Sequence, residues 1–434
     1  MVILFTTNII FFGKIVPTFV KYIFTPKSQD NMARAIVHMD LDTFFVSCAR
    51  LQNSELNGLP LIVGGGERGV VASCSYEARY FGVRSAMPIR MALQLCPQAK
   101  VIKGDMELFS AKSHEVTQII EEKSPLVEKA SIDEFYLDIT GMDKFYGCYK
   151  WTNELTQTIT KETGLPISFA LSVNKTVSKI ATGEGKPKGN LEISERMVQS
   201  FLNPLSIRKI PMVGEATFNL LSRIGIRDIK TLSEMPQLYL QKMIGKNGLE
   251  LWKKANGIDN RPVEPYTERK SISTEHTYLQ DTIDIPKIKS LLIGMTEQLA
   301  FQLRSEEWLT STVTVKIRYA NFDTETVQCK VAYTSCDHVL LKHVTALFDK
   351  LYNRRMRIRL VGVRFSGLVR GTYQINMFED TVEMMQLYQA MDKMKKRFGF
   401  DAVTRCAGTI LKTKKANLTE PNNIVQNKII MRTR

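Results

Sequence analysis

The sequence contains little cysteine, and its cysteines form no recognisable pattern. Seven of the 434 residues are cysteine, their number is odd, and no two are spaced as C-x-x-C. This excludes a disulfide framework and a cysteine-ligated zinc site, and it predicts a reducing, cytoplasmic location. The G-x-x-x-x-G-K-[ST] spacing is also absent, so no loop of this chain is of the Walker A type.

The sequence also lacks a long uninterrupted hydrophobic run. The apolar stretch at 2–12 is followed by Lys14, Pro17 and Lys21, so it does not reach the ~18 uncharged residues of a membrane span. A secretory signal needs positive charge before the apolar stretch and small residues after it, and both are missing. We expect residues 1–33 to be an unstructured extension or the product of a mis-assigned start, and we expect no membrane partner.

Acidic residues are in deficit. The chain has 59 Lys and Arg against 44 Asp and Glu, which gives a formal net charge of +15 and an isoelectric point near 9.4. Such a charge predicts a polyanionic partner, with nucleic acid ahead of an anionic membrane surface. The hydrophobic content of 44% and the charged content of 24% are ordinary for a folded protein, and the length suggests about two to four domains.

Hydrophobic patterning predicts a mixture of strands and helices. Strands are predicted at 35–39, 59–63, 70–72, 131–139 and 166–173, and helices at 107–123 and 151–162. We expect the strands at 131–139 and 166–173 to be antiparallel neighbours. The region 194–260 is typical of short helices separated by glycine turns.

The C-terminal third reads as a separate α+β module. In the strand predicted at 312–319, Val313, Val315, Ile317 and Tyr319 alternate with polar residues that include Lys316 and Arg318. Helices at 285–304 and 338–352 and a strand at 359–365 accompany it. The module is therefore predicted to expose a basic face of its sheet.

Two acidic constellations interrupt otherwise apolar strands. Asp40-Leu41-Asp42 follows the first strand, and Asp133-Glu134 lies inside the strand predicted at 131–139. Adjacent carboxylates in an apolar strand repel each other and lose hydration unless a cation neutralises them. Hard oxygen ligands suit Mg²⁺, and a pair of such ions serves in-line displacement at phosphorus. Each motif alone also fits a solvated cap, but the two together favour a metal site.

Three further motifs suggest phosphate binding. Tyr76 and Arg79 lie three residues apart and share a helical face, where both can bind a phosphate; a merely solvated arginine is the alternative. Residues 183–189 read as a glycine-rich loop with two lysines, or as an ordinary turn. Residues 211–214 lead into a helix predicted at 216–224. This is the pattern of a helix-hairpin-helix, whose backbone amides hold a DNA phosphate without reading sequence.

The order of these motifs resembles the Y-family of translesion DNA polymerases, and within it the DNA polymerase IV subgroup. The resemblance rests on HMDLDTFF (38–45), YEAR (76–79), FGVRSAMP (81–88), SIDE (131–134), Asn174-Lys175, SKIA (178–181), Lys186-Pro187, PMVG (211–214) and VGVRFS (361–366). It covers residues 34–407, which is nearly the whole chain. Each motif is short, but their joint order and spacing are specific.

This resemblance implies an α+β multidomain fold, a right-handed polymerase with palm, fingers, helix-hairpin-helix thumb and a C-terminal little finger. The expected ranges are 34–43 and 104–193 for the palm, 44–103 for the fingers, 194–262 for the thumb, 263–270 for a linker and 271–372 for the little finger. Residues 373–434 are expected to hold a clamp-binding peptide, a helix and a basic tail.

The resemblance also implies the activity and its catalytic residues. The enzyme would add deoxynucleotides to a primer 3′-OH on a DNA template by two-metal phosphoryl transfer, with low fidelity and with lesion bypass in damage tolerance. The implied ligands of two Mg²⁺ ions are Asp40, the backbone carbonyl of Leu41, Asp133 and Glu134. Glu134 is the position that the family treats as the catalytic acidic residue. Asp42 is expected to be structural.

Contacts to the incoming nucleotide are implied in the same way. The triphosphate contacts fall on Tyr76, Arg79 and Lys186, with Ser73 and the amides of Phe44 and Phe45 as weaker candidates. Phe45 also falls at the position of the aromatic ring that discriminates against ribose. Alternation along a strand predicts that the Phe44 ring points to the opposite side.

Contacts to DNA are expected from two regions. They are the hairpin amides of Val213 and Gly214 and the little-finger side chains of Lys316, Arg318 and Arg364. Met212 replaces a glycine of the family's usual Pro-Gly-Ile-Gly hairpin, so we expect a looser phosphate contact there. The implied partners are primer–template DNA, deoxynucleoside triphosphates and a sliding clamp, and a monomer is expected.

The clamp would bind a short peptide that follows the little finger. Residues 374–379 (QINMFE) resemble the Gln-x-x-Leu-Phe-type peptide with which bacterial polymerases dock on their clamp. Gln374, Met377 and Phe378 would make the contact, with Met377 in place of leucine; a turn between a strand and a helix is the alternative. Farther on, a stripe of apolar residues at helical spacing predicts packing in a core. It consists of Leu387, Met391, Met394 and Phe398.

Two other functions remain as alternatives. A DNA-binding scaffold of the same fold that no longer polymerises would keep the hairpin and the basic module. The presence of Asp40, Asp133 and Glu134 argues against it. A nucleotidyl cyclase shares a palm-like fold and a carboxylate pair, but it has no use for a helix-hairpin-helix or a basic C-terminal module.

Overall fold

The computed structural model describes residues 34–66, 68–142, 147–266, 268–371 and 382–411. The N-terminal extension, the candidate clamp peptide with Gln374, Met377 and Phe378, and residues 412–434 lie outside these ranges.

The described strands are β1 (Ile36–Leu41), β2 (Leu61–Gly64), β3 (Val71–Cys74), β4 (Lys100–Ile102), β5 (Val127–Lys129), β6 (Glu134–Asp138), β7 (Ile167–Ser172), β8 (Asn190–Ile193), β9 (Ser271–Thr282), β10 (Trp308–Tyr319), β11 (Thr324–Thr334) and β12 (Ile358–Arg370). The described α-helices are α1 (Phe44–Gln52), α2 (Tyr76–Tyr80), α3 (Ile89–Leu95), α4 (Met106–Lys123), α5 (Cys148–Thr163), α6 (Lys175–Gly185), α7 (Val198–Leu202), α8 (Glu215–Arg223), α9 (Ile229–Ser233), α10 (Gln237–Ile244), α11 (Lys246–Ala255), α12 (Ile285–Ser305), α13 (Asp337–Leu351) and α14 (Val382–Phe398).

A five-stranded sheet carries the acidic motifs. Its order is β5-β6-β1-β7-β8, with every pair antiparallel except β7 and β8. Val37, Met39 and Leu41 alternate toward a core that they share with α1, α4 and α5. The intervening residues of β1, including Asp40, therefore face the other side, where α6 packs.

One predicted pairing in this sheet is wrong. The strands predicted at 131–139 and 166–173 are not neighbours, because β1 lies between β6 and β7 and pairs with both. Alternation of apolar residues reveals which face of a strand is buried, but it does not reveal the adjacent strand. The central place of β1 matters because it brings Asp40 next to residues of both flanking strands.

Residues 44–104 and 198–255 form two smaller units. The first contains a three-stranded sheet, β3-β2-β4, with its own small core against α2 and α3. The second consists of the short helices α7 to α11, which pack around leucine and isoleucine side chains. The helices α10 and α11 meet at Gly245, and Gly248 is so close to the carbonyl of Leu240 that a Cβ would clash with it.

The C-terminal module is a four-stranded antiparallel sheet with helices on one face. Its order is β11-β10-β12-β9, and α12 and α13 cover the apolar face. Val313, Val315, Ile317 and Tyr319 are fully buried there, as their alternation predicts. The opposite face of the sheet is not covered by these helices and presents the basic side chains discussed below.

Three residues of the apolar stripe predicted for the core lie on the surface instead, whereas Met391 is partly buried and packs against Met385 and Tyr388. In α14, Leu387 is 51% exposed, Met394 is 45% exposed and Phe398 is 59% exposed, whereas Met385 and Tyr388 are buried against α13 and the residue before it. The helix was predicted correctly, but its buried face was not. Polar contacts decide the orientation of α14.

These polar contacts form a buried ionic network. Arg304 of α12, only 2% exposed, donates to Asp392 at 2.7 Å and to Asp337 at 2.6 Å. Arg405 also pairs with the buried Glu297 at 2.9 Å. The network fastens α14 and the segment after it to α12 and α13. No helix of the described residues is long and apolar enough to cross a membrane.

Candidate active site

The three predicted carboxylates meet at one end of the five-stranded sheet. In the register of β1 and β6, Asp40 lies directly opposite Glu134, and the amide of Leu41 donates to the carbonyl of Asp133 at 3.0 Å. Asp133 precedes β6 by one residue. Residues almost a hundred positions apart in sequence are thus adjacent because β1 and β6 pair without a register shift.

A short turn before β6 orients Asp133. The hydroxyl of Ser131 donates to the Asp133 carboxylate at 2.6 Å and accepts from the amide of Glu134 at 3.1 Å. One serine therefore fixes the carboxylate and the start of the strand together. This contact gives a local reason for the Ser-Ile-Asp-Glu sequence.

Burial makes the carboxyl groups of Asp40 and Asp133 hard to ionise. It raises the pKa of Asp40 to about 7, although Lys186 acts in the opposite direction. Burial likewise raises the pKa of Asp133, with Glu134 adding to the effect. Carboxylates in such a place become stable anions when a cation is bound next to them, and hard oxygen donors suit a divalent metal. The donor set therefore fits a divalent cation.

Two lysines already contact these carboxylates. The ammonium of Lys179 lies 2.6 Å from both oxygens of Glu134, and that of Lys186 contacts Asp40. In the part of the chain that the structure describes, no group of three or more potential ligands is gathered into a ready metal cluster. Lys179 and Lys186 instead pair with the carboxylates of Glu134 and Asp40.

The role of Lys179 could have been predicted more fully. Lys179 lies within α6, seven residues before Lys186, which directly follows the end of that helix. The helix also extends farther than expected. Gly183 and Gly185 belong to α6, and the predicted glycine-rich loop of 183–189 begins only at Lys186.

Asp42 anchors the loop that bears Lys186. Its buried carboxylate accepts from the hydroxyl of Ser168 at 2.9 Å and from the amide of Lys188 at 2.7 Å. Ser168 in turn accepts from the amide of Gly189 at 3.2 Å. Asp42 therefore lies beside the predicted metal ligands and is occupied with backbone and hydroxyl donors.

Tyr76 and Arg79 form a pair next to this site. The Arg79 guanidinium lies 4.9 Å from the centre of the Tyr76 ring. Burial raises the pKa of Tyr76 to about 12, with Asp42 adding to the effect. The Tyr76 hydroxyl is buried and makes no close hydrogen bond among the described residues, although the Asp42 carboxylate interacts with it. Ser73 is buried in β3 opposite Val63.

Phe44 and Phe45 do not alternate as residues of a strand, because α1 begins at Phe44. The Phe44 ring is 2% exposed in the core, while Phe45 is only partly buried. The Phe45 ring stacks on Phe109 with a centroid distance of 4.3 Å and an angle of 17°. The two neighbouring rings therefore differ in burial, and Phe45 is backed by a second aromatic ring.

Comparison with known proteins identifies the family. Residues 39–183 match the impB/mucB/samB family, and residues 269–377 match the C-terminal domain of that family. DNA polymerase IV of Dehalococcoides mccartyi is 34% identical over 375 residues, which cover 85% of this chain and 96% of that protein. The chain belongs to the Y-family of DNA polymerases. DNA polymerase IV of Clostridioides difficile is 35% identical over 361 residues, covering 81% of this chain and 99% of the relative.

Solved Y-family structures share the fold. A Y-family DNA polymerase chimera has a TM-score of 0.70 at 26% identity and covers 78% of this chain and 100% of its own. DinB from Sulfolobus solfataricus matches with the same identity and coverage and a TM-score of 0.55. The predicted α+β polymerase fold, with palm, fingers, helix-hairpin-helix thumb and little finger, is confirmed.

The family settles the class of activity. The chain is a DNA-directed DNA polymerase of the translesion type, and neither the non-catalytic scaffold nor the cyclase is favoured. As a DNA polymerase it binds DNA and nucleotides, and as a Y-family member it depends on divalent metal.

The DNA-binding residues predicted for this polymerase lie on two surfaces. Val213 and Gly214 lead into α8, and the space where a Gly214 side chain would project is open. Lys316 and Arg318 project from the uncovered face of β10, and Arg364 lies across from Thr314 on the same face. Lys316 also pairs with Glu275 at 2.5 Å. The little finger therefore presents a basic sheet surface opposite its helices.

Proposed function

We propose that this polymerase transfers nucleotides by two-metal catalysis at the end of β1. Asp40, Asp133, Glu134 and the backbone carbonyl of Leu41 would hold two Mg²⁺ ions. The observation that carries the proposal is the pairing of β1 with β6, which sets Asp40 opposite Glu134 with Asp133 one residue away. When bound, the ions would promote attack by the primer 3′-oxygen and stabilise the leaving pyrophosphate.

The protein contributes fixed positions for these groups. Ser131 orients Asp133, and Lys179 holds both oxygens of Glu134. Lys186 lies beside Asp40 at the end of α6, where it would bind the triphosphate. Asp42 supports this by fixing the backbone that follows Lys186. The contacts of Ser131 and Asp42 reduce the reorganisation that the reaction requires, whereas Lys179 and Lys186 would have to release Glu134 and Asp40 when the ions bind.

The nucleotide would bind between α2 and the start of α1. The hydroxyl of Tyr76 and the guanidinium of Arg79 would contact the phosphates. Ser73 and the amides of Phe44 and Phe45 remain weaker candidates for the same contacts. The Phe45 ring would lie under the sugar and exclude a 2′-hydroxyl.

DNA would bind through phosphates at the hairpin of Val213 and Gly214 and at the basic face of the little finger. We further propose a monomeric, cytoplasmic enzyme that docks on a sliding clamp through residues 374–379. Free thiols at Cys48, Cys74 and Cys96 are consistent with a reducing location.

Replacement of the carboxylates by their amides tests the catalytic assignment. Asp40→Asn, Asp133→Asn and Glu134→Gln should each abolish Mg²⁺-dependent extension of a primed template. DNA affinity should remain nearly unchanged, because it depends on phosphate contacts elsewhere. Mn²⁺ binding, followed without DNA or nucleotide, should weaken in the same variants.

Asp138→Asn is the matched control. Asp138 lies in the same strand, and its carboxylate accepts from Thr140 at 2.6 Å, a bond that an amide oxygen can keep. We expect this variant to extend primers at the rate of the unsubstituted enzyme. Substantial extension by Glu134→Gln would refute the assignment of Glu134.

A further inference from the structure

The hairpin that precedes α8 departs from a glycine-rich turn at its second residue. Met212 has a φ of 84°, in the left-handed region that favours glycine. The hairpin is closed by a bond from the amide of Val213 to the carbonyl of Ile210 at 3.1 Å, and Gly214 caps α8 without a side-chain hydrogen bond. An L-residue at this φ is strained, so contacts around it must hold the turn.

The charges next to this hairpin largely cancel. Glu215 lies in the first turn of α8, where a DNA phosphate would bind, and its charge opposes such binding. Arg208 covers the Glu215 carboxylate with bonds of 2.5 Å and 3.1 Å. Lys209, the next cation along the chain, pairs with Glu184 at 2.6 Å. These two ion pairs leave little net positive charge at the turn.

Lys254 of α11, unlike Arg208 and Lys209, is not paired with a carboxylate among the described residues. It is 4% exposed, and its ammonium lies 3.2 Å from the carbonyl of Pro211 and 3.1 Å from the sulfur of Met212. No carboxylate of the described residues lies within ion-pair distance of it; Asp259 and Glu250 act on it only from farther away. Burial lowers the pKa of this ammonium, and Arg261 acts in the same direction.

A buried ammonium without a carboxylate is costly unless something else uses its charge. Here the contacts are to the two residues at the apex of a hairpin whose amides would face a phosphate. The carbonyl of Pro211 and the thioether of Met212 are neutral acceptors, so they leave the positive charge of Lys254 uncompensated. That charge lies directly behind the turn.

We propose that Lys254 is a positioning residue for DNA binding by the thumb: it holds the strained Met212 turn from behind and supplies the net positive charge that attracts a phosphate. This rests on the proposed phosphate contact at Val213 and Gly214. At this contact Arg208 neutralises the charge of Glu215, so the net positive charge comes from Lys254.

The test measures DNA affinity against salt concentration for the full chain. The ligand is an undamaged primer–template duplex, without nucleotide or Mg²⁺. Lys254→Gln removes the charge but keeps a donor for the Pro211 carbonyl. The slope of log affinity against log salt should fall by about 0.9, as for the loss of one phosphate contact on duplex DNA. Between 50 and 200 mM salt, the variant should then lose roughly threefold less affinity than the unsubstituted chain.

A second substitution distinguishes charge from structure. Glu215→Gln should steepen the slope in the otherwise unchanged chain, and in the Lys254→Gln chain it should restore the original slope. A merely structural lysine would not be rescued in this way. Lys253→Gln is the matched control, because Lys253 is the adjacent residue, is only partly buried and pairs with Glu250 at 2.9 Å. The slope of this variant should change by less than half as much. Lys254→Met serves as a second variant, and thermal unfolding of each shows whether the thumb is intact.

The outcomes separate the two proposals. If Glu215→Gln steepens the slope while Lys254→Gln leaves it unchanged, the inference about Lys254 is wrong and the hairpin contact stands. If neither substitution changes the slope, the hairpin does not contact DNA and both proposals fail. A loss of affinity that is equal at every salt concentration and is not rescued would show a structural role alone.

Discussion

Replacement of Phe45 by alanine should relax the selection of deoxyribose over ribose. Phe45 stacks on Phe109, and Phe109 is itself buried against Phe44, so the Phe45 ring has no room to retreat from a 2′-hydroxyl. Displacing it would disrupt an aromatic pair worth about 0.5–1.5 kcal/mol. Forcing extra atoms into the packed site would cost a further ~1–3 kcal/mol. At about 1.4 kcal/mol per factor of ten, the full discrimination is roughly tenfold to a thousandfold.

The assay compares single-nucleotide insertion of a deoxynucleotide and of its ribonucleotide counterpart. Phe45→Ala should lose most of the difference in kcat/KM, mainly through faster ribonucleotide insertion. Phe109→Leu keeps most of the volume but removes the stack. It should relax the selection by only about 2- to 12-fold, the share that the aromatic pair contributes.

The control must spare the core. Phe44→Ala is unsuitable because Phe44 is buried, and its truncation would cost about 3–5 kcal/mol of stability. Phe44→Leu is the better choice and should leave sugar selection unchanged. If Phe44→Leu relaxed the selection and Phe45→Ala did not, the position assigned to the discriminating ring would be wrong by one residue. An unchanged ratio in Phe45→Ala would refute the steric argument itself.

Two further predictions concern the C-terminal part of the chain. Arg304→Met leaves the buried Asp337 and Asp392 without the guanidinium that pairs with them. It should therefore lower the free energy of unfolding of the little finger by about 3–5 kcal/mol, measured by urea denaturation. A change under about 1 kcal/mol would contradict the importance of the buried ionic network. Deletion of 374–379 should leave synthesis on short primers intact but remove stimulation by the sliding clamp of the same organism. Unchanged stimulation would favour the alternative that this segment is only a turn.

The sequence predicted the active-site strands well because their pattern is local. Residues 35–39 form a short apolar run, and α4 and β10 have clear periodicities of their own. Asp40 lies at the end of the first strand and Glu134 lies in a strand, as predicted, but Asp133, also predicted inside that strand, lies in the turn before β6. The strand order was not predictable in the same way, since the pairing of β1 with both β6 and β7 depends on contacts between residues far apart in sequence.

The orientation of α14 shows a second limit. This helix has two candidate apolar faces, one with Met385 and Tyr388 and one with Leu387 and Met394. The larger stripe was predicted to be buried. The choice depends on Arg304, which pairs with Asp392 from a helix about ninety positions earlier, and nothing in the spacing of α14 reveals that partner. Similarly, the pairing of Lys186 with Asp40 follows from tertiary placement and not from either motif.

The ionic network of the little finger also bears on how such a domain could be exchanged between polymerases during evolution or in the laboratory. The match to the family's C-terminal domain ends at residue 377, yet the network continues to Asp392 and Arg405. A chimera joined at 377 would remove Arg405, which pairs with Glu297, and Asp392, which leaves Arg304 with Asp337 alone. The smallest transplantable unit is therefore longer than the shared domain, and α14 with the segment after it must be transferred together with the sheet.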